Sequence, residues 1–375
     1  MASQQRDRAA SDSEMTVRHS LNDDLGYPIV IGKNLRAALI AFLKKEGPPR
    51  AILCDANPHV RRIAGQIAAR LGRAPVLSVT LGESRKRLTS VERLLDAMLE
   101  SGTERSDLIV GVGGGVASDL FGFACATYMR GVRYAHVATS LVAMVDAAIG
   151  GKTGVNLRAG KNLAGCFRDP VGVFADVTAL KSLPESAMQE GLAEVVKSAI
   201  IEGGDFFEML EELAPHPLAR WPWSLVVESA VKVKTMAVSD DRLETGTREL
   251  LNLGHTFAHA IERASNFRTS HGAAVGLGLR AAGLLALRTG RFSEAEHVRV
   301  MTLLALLRLP MQTRIRAEAI LAAMSSDKKK RAGRLRFVLP RAIGDVEYGV
   351  QCDRRSVRAV LARLREPPEK FRARR

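Results

Sequence analysis

Asp107-Leu108-Ile109-Val110-Gly111-Val112-Gly113-Gly114-Gly115-Val116-Ala117-Ser118-Asp119 passes from an unbroken apolar run, through three glycines, into a helical pattern. A short apolar run closed by glycine reads as a buried strand. Three glycines let backbone amides approach a diphosphate, and the start of a helix adds partial positive charge there. The spacing is not the G-x-G-x-x-G fingerprint, so taken alone the stretch is equally a tight strand-to-helix turn.

Working outward, similar apolar runs lie at 27–32, 51–55 and 75–79, and two more follow at 134–139 and 171–176. Helical patterns fall between them, for example at 60–71 and 91–101. Strands alternating with helices imply βαβ units and a mostly parallel, Rossmann-like sheet. After Leu183-Pro184 the character changes. Long helical patterns occupy 187–201, 223–238 and 273–287, and only 335–340 reads as extended. The predicted fold is an α/β nucleotide-binding domain at 15–182 followed by an all-α metal- and substrate-binding domain at 183–366. A disordered tail at 1–14 and a basic tail at 367–375 flank them.

At 375 residues and 46% hydrophobic, the chain can bury a core large enough for two domains. Aromatics are only 5%, so that core must rest on Ala, Val, Leu and Ile. The net charge of +15 fits nucleic acid, an anionic small molecule or a merely basic proteome. Scattered basic residues and few aromatics for base stacking weigh against nucleic acid. Cys54, Cys125, Cys166 and Cys352 form no Cys-x-x-Cys pair and read as reduced, mostly buried thiols. There is no apolar leader in the first 14 residues and no apolar run near the ~18 of a membrane span. A soluble cytoplasmic protein is expected.

His255 and His259 stand at i and i+4 in Asn252-Leu253-Gly254-His255-Thr256-Phe257-Ala258-His259, with His271 downstream and Glu194 upstream. A catalytic divalent metal takes three such ligands and keeps one position open. Spacing alone favours the helical pair His255 and His259 as ligands, with hydrogen-bonded core histidines as the plain alternative. Glu194 and Lys197, at i and i+3, lie among Leu192, Ala193, Val195, Val196 and Ala199. A charged pair there needs a partner or a metal. Gly150-Gly151-Lys152-Thr153-Gly154-Val155-Asn156 and Gly160-Lys161-Asn162-Leu163 read as loops that place lysines among glycines, suited to phosphate or carboxylate. Solvated turns are the ordinary alternative for them.

Together these segments resemble the 3-dehydroquinate synthase family of sugar-phosphate cyclases, from about Tyr27 to about Glu347. Further motifs carrying the resemblance are Ala126-Thr127-Tyr128-Met129-Arg130-Gly131-Val132, Gly191-Leu192-Ala193-Glu194 and Asp327-Lys328-Lys329. The resemblance implies metal ligands at Glu194, His255 and His271, displacing the helical pair and leaving His259 to handle substrate or protons. It implies NAD contacts at Glu83, Lys86, Gly114, Gly115, Asp119, Thr139, Ser140, Asp146, Lys152, Lys161, Ala179, Leu180, Lys181 and Ser182. Substrate positions would be Arg130, Lys152, Asn162, Lys197, Lys234, Glu244, Arg248, Asn252, His259 and Lys328, with Lys329 the alternative to the last. Ala273 departs from the family, which usually has Glu there, beside His271. A looser metal site would follow if that Glu orients the ligand. Ser118 and Ser140 replace a usual Gly and Thr.

The implied reaction converts 3-deoxy-D-arabino-heptulosonate 7-phosphate to 3-dehydroquinate and phosphate. It proceeds by transient NAD oxidation, phosphate elimination, hydride return and aldol closure, with zinc or cobalt bound. A homodimer is the expected assembly, with no nucleic-acid or membrane partner. The rivals are a sister cyclase of the aminodehydroquinate, valiolone or deoxy-inosose type, and a metal-dependent glycerol-phosphate or alcohol dehydrogenase. A non-enzymatic scaffold or nucleic-acid binder is the third. Arg248, Asn252 and His259 favour a carboxylate-bearing substrate, and the intact ligand set argues against a non-enzyme.

Overall fold

The structure is a computed structural model that describes residues 17–20, 25–72, 74–328 and 335–368. The tail expected at 1–14, and most of that at 367–375, lie outside the described residues. The chain divides into two compact units. One holds the residues up to Thr139 with Gly151–Ser182, the other Ser140–Gly150 with Leu183 onward.

The first unit carries β1 (Val17–Ser20), β2 (Ile29–Gly32), β3 (Ala51–Asp55), β4 (Val76–Val79), β5 (Leu108–Gly113), β6 (Arg133–Ala138), β7 (Lys152–Leu157), β8 (Gly160–Phe167) and β9 (Gly172–Asp176). Its helices are α1 (Arg36–Glu46), α2 (Pro58–Ala68), α3 (Leu88–Glu100) and α4 (Gly115–Thr127). Seven strands form one sheet in the order β1-β2-β9-β6-β5-β3-β4. β1 is antiparallel to β2, and the other six run parallel. Alternation along the central strands divides the core between two faces. Ala51, Leu53 and Ile109 pack with Val91, Leu94, Leu120 and Phe121 of α3 and α4. Their neighbours Ile52, Cys54, Val110 and Val112 pack with Leu39, Leu43, Ala64 and Ile67 of α1 and α2. Covering both faces requires continuous apolar runs, which is why these strands are visible in the sequence.

The two segments read as loops are instead the strands β7 and β8, an antiparallel hairpin. Thr153 Oγ1 donates to Cys166 O at 3.0 Å, and Val155 joins the α3–α4 core.

The second unit carries α5 (Glu185–Glu202), α6 (Gly204–Leu213), α7 (Trp223–Asp240), α8 (His255–Ala264), α9 (His271–Arg288), α10 (Glu294–Leu306), α11 (Ala317–Lys328) and α12 (Arg354–Arg363). To these it adds the hairpin β10 (Arg336–Ala342) and β11 (Asp345–Gln351). The expected all-α domain is therefore helical with one hairpin, β10 falling on the stretch that read as extended. α9 is buried along most of its length. Two close approaches set its position. A Cβ on Gly278 would lie 2.3 Å from Gly254 O, and one on Gly272 would lie 2.3 Å from Glu190 Cα. Only hydrogen at these points lets the start of α8 close on the middle of α9, and the start of α9 on α5.

All four cysteines are free thiols. Cys54 and Cys125 are buried, while Cys166 and Cys352 are half-buried rather than inside the core. No helix among the described residues is long and apolar enough to cross a membrane.

Candidate active site

Glu194 sits in the middle of α5 at 1% exposure. His255 and His271 are the first residues of α8 and α9, so the two glycine approaches just described aim both imidazoles at that carboxylate. Glu194 Oε1 lies 3.0 Å from His271 Nε2 and 3.4 Å from His255 Nε2. One ligand atom from each of the three lies within 4.8 Å of the others. Two imidazoles and a carboxylate converging on one point are a donor set that fits zinc or cobalt. Each imidazole is also held from behind. His255 Nδ1 is 3.2 Å from Leu253 O, and His271 Nδ1 is 3.4 Å from Glu262 Oε1.

His259 belongs to a different environment. It is exposed on α8, its ring 5.4 Å from that of His255 and edge-on to it. The i, i+4 pair favoured by spacing is thus not the converging set; His271 takes that place.

Charges around Glu194 are buried and matched. Lys197 Nζ is 2.5 Å from Glu194 Oε2, and both side chains are almost fully enclosed. Burial alone would raise the Glu194 pKa, but Lys197 and the two histidines outweigh it and hold the carboxyl well below its usual range. Burial likewise opposes charge on His271, yet Glu194 and Glu262 push its pKa up to about 10. Asp146 pairs with Lys234. Burial opposes its ionisation as well, but Lys234 and Lys197 bring its pKa down to about 2. Neither Glu194 nor Asp146 therefore needs a proton to be buried here.

Of the remaining substrate positions in this unit, Glu244 accepts from Asn252 Nδ2 at 3.0 Å. Arg248 is another of these positions. It is fully buried, and its guanidinium donates to Arg242 O at 2.7 Å and Gly150 O at 3.0 Å. Asp241 escaped the sequence reading. Its carboxylate accepts from the amides of Thr245 at 2.9 Å, Gly246 at 2.6 Å and Arg248 at 3.2 Å, clasping the loop that carries Glu244. An Asp before a Thr-Gly-Thr run is the turn signal that could have flagged it. Lys328 ends α11, and Lys329 lies outside the described residues. Ser140 caps the 140–150 segment, its Oγ 3.4 Å from Ala143 N.

In the first unit, Gly114 caps α4 and Gly115 opens it. Thr139 N donates to Gly113 O at 2.9 Å, bringing the end of β6 beside the glycine turn. Lys86 is buried and donates to Asp119 and, at 2.6 Å, to Asn162 Oδ1. Glu83 accepts from Asn156 Nδ2 at 2.7 Å and lies 3.3 Å from Lys161 Nζ. Asn156 Oδ1 in turn accepts from Asn162 N at 2.9 Å. Asn156 was visible only as part of a motif; here it ties the hairpin tip to the Glu83 turn. Lys152 is half-buried at the start of β7, and Arg130 is exposed. Ala179 and Leu180 are buried, Lys181 is exposed, and Ser182 Oγ is 2.8 Å from His59 Nε2. Arg130, Asn162 and Glu244 share positive φ angles of 67°, 52° and 57°. Backbone held in that region costs energy and clusters at functional sites.

A parallel sheet with a glycine-rich helix start, and a helical unit with a carboxylate and two imidazoles, mark the class of nucleotide- and metal-using enzymes. Family models narrow this. The N-terminal part of 3-dehydroquinate synthase matches residues 76–190 and the C-terminal part matches 191–330. The chain belongs to the 3-dehydroquinate synthase family.

The 3-dehydroquinate synthase of Gloeobacter violaceus is 44% identical over 349 residues, covering 90% of this chain and 96% of that protein. That of a Picosynechococcus species is 36% identical over 366 residues, covering 93% and 99%. Among solved structures, 2-epi-5-epi-valiolone synthase from Streptomyces hygroscopicus, with NAD+ and zinc bound, has a TM-score of 0.83 at 30% identity over 92% of this chain and 99% of that one. A 2-deoxy-scyllo-inosose synthase with carbaglucose-6-phosphate, NAD+ and cobalt has a TM-score of 0.79 at 25% identity over 89% and 96%. An iron-containing alcohol dehydrogenase from Corynebacterium glutamicum, 17% identical with a TM-score of 0.65, shares the fold.

Proposed function

We propose that this chain is a 3-dehydroquinate synthase, a lyase that converts 3-deoxy-D-arabino-heptulosonate 7-phosphate to 3-dehydroquinate and phosphate. The convergence of Glu194, His255 and His271, in a chain 44% identical to a 3-dehydroquinate synthase along nearly its whole length, carries this reading. Those three residues would hold zinc or cobalt. The metal would supply Lewis acidity toward a substrate hydroxyl, and NAD would supply reversible hydride acceptance.

The protein's own part is positioning and charge. Lys197 keeps Glu194 ionised and directed inward. Lys197 and Lys234 supply positive field to an anionic substrate, with Arg130, Lys152 and Lys328 as further cations. Asn162, Asn252 and Glu244 offer hydrogen bonds to hydroxyls, and the exposed His259 is suited to exchanging a proton. Arg248 braces the backbone carbonyls of Arg242 and Gly150 and is, in this reading, also the cation for the substrate carboxylate. NAD would use Gly114, Gly115 and Asp119 with Glu83, Lys86, Thr139, Ser140, Asp146, Lys152, Lys161 and the turn 179–182. A cytoplasmic homodimer is the proposed working form.

The test is phosphate release from the heptulosonate phosphate, with and without NAD and a chelator. Turnover that needs both NAD and metal but accumulates no NADH supports the reading. NADH rising in step with turnover points to a dehydrogenase. Faster turnover of a sugar phosphate lacking the carboxylate points to a sister cyclase of the valiolone type, whose solved relative is 30% identical.

A further inference from the structure

We propose that Glu262 is the positioning residue for His271, fixing its tautomer and its orientation toward the metal; the inference rests on the metal reading above. The two imidazoles meet the same requirement in different ways. A histidine that ligates through Nε2 must be neutral and carry its proton on Nδ1, and whatever accepts that proton decides how the ring is held. For His255 the acceptor is the neutral carbonyl of Leu253, two residues away on its own chain segment. For His271 it is the carboxylate of Glu262, 3.4 Å from Nδ1 and only 1% exposed.

Glu262 lies on α8, seven residues after His255 and hence two turns along the same face. One helix therefore supplies a ligand at its start and an orienting carboxylate further on, and the first residue of α9 fits between them. His271 is the ligand in most need of such a hold. Its side chain is 31% exposed, against 11% for His255 and 1% for Glu194. Ala273 cannot serve, because it carries no polar group. The carboxylate that reaches His271 from α8 makes a Glu at 273 unnecessary for orienting the ring.

The test compares Glu262→Gln and Glu262→Ala with the unsubstituted protein, each loaded with cobalt and titrated against a competing chelator. Glutamine keeps an acceptor but loses the charge, and alanine loses both. Retention should weaken by about 10-fold in the first and by about 100-fold in the second. The cobalt absorption bands should shift, which a merely structural role would not cause. Thermal unfolding of the metal-free proteins shows whether each variant folds, and the glutamine variant alone suffices if the alanine variant does not. Unchanged cobalt retention and spectrum in a folded Glu262→Gln protein would overturn the proposal. An unsubstituted protein that takes up no cobalt would instead overturn the metal reading beneath it.

Discussion

Glu194 is the point on which the buried charge of the helical unit converges, and its loss should be felt in two ways. Glu194→Gln removes a proposed metal ligand and leaves Lys197, at 4% exposure, without its nearest counter-charge. Breaking one side of a buried pair costs about 3–5 kcal/mol, although Asp146 should spare part of that here. Chemical denaturation should show the destabilisation, and elemental analysis the loss of metal. The histidines separate cleanly. His271→Ala should abolish metal retention, whereas His259→Ala should keep the metal and lower turnover; metal loss in the His259 variant would restore the i, i+4 pair. That pair was the natural reading of the residues because periodicity sees only neighbours on one helix. The actual trio spans residues 194 to 271 on three helices, and no local pattern encodes it. The resemblance did, by implying the same three positions. Of the acceptors behind the imidazoles, Leu253 O was not legible, since a backbone carbonyl leaves no trace in sequence; Glu262 was one of two glutamates, with Glu190, that the sequence offered in place of the carboxylate missing at Ala273, and only the structure puts it at His271 Nδ1.

Element by element, the helical unit depends on how closely α9 approaches its neighbours. Gly272→Ala would press a methyl against the α5 backbone at Glu190. Overpacking against backbone typically costs about 1–3 kcal/mol, and here the displaced residue adjoins a ligand, so metal retention should fall along with stability. Gly65→Ala in α2 is the control. Its Cβ would meet nothing within 4 Å, so it should stabilise by up to about 1 kcal/mol, as glycine-to-alanine in a helix does. Equal thermal shifts in the two variants would argue against the close approach.

The loop clasped by Asp241 offers a pH test. Hydrogen bonds from the Thr245, Gly246 and Arg248 amides hold its carboxyl below the usual range. Because the folded value is depressed, the clasp is complete above the ordinary Asp pKa and is lost as pH falls through the lowered one. Asp241→Asn should weaken it at every pH, raising KM more than it lowers kcat, and should remove that acid-side dependence. The strands of the parallel sheet were legible because burial on both faces forces continuous apolar runs. The β7–β8 hairpin was hidden by its glycines and its polar residues Lys152, Asn156, Lys161 and Asn162, which mimic a loop.

At the scale of the whole molecule, an excess of 15 positive charges suits a substrate bearing both phosphate and carboxylate. The change of character after Leu183 was readable because long helical periods replace short apolar runs. The excursion of residues 140–150 into the helical unit was not, since eleven residues are too few to carry a period of their own. That excursion has a consequence for anyone recombining this gene with a relative. Leu141 packs on Gly191, and Asp146 pairs with Lys234. A crossover at residue 182 would therefore graft a helical half onto an insert selected to fit another parent. The exchangeable cassette is discontinuous. It comprises everything after residue 182 together with the codons for 140–150, and chimeras that carry both pieces should fold where single-crossover chimeras fail.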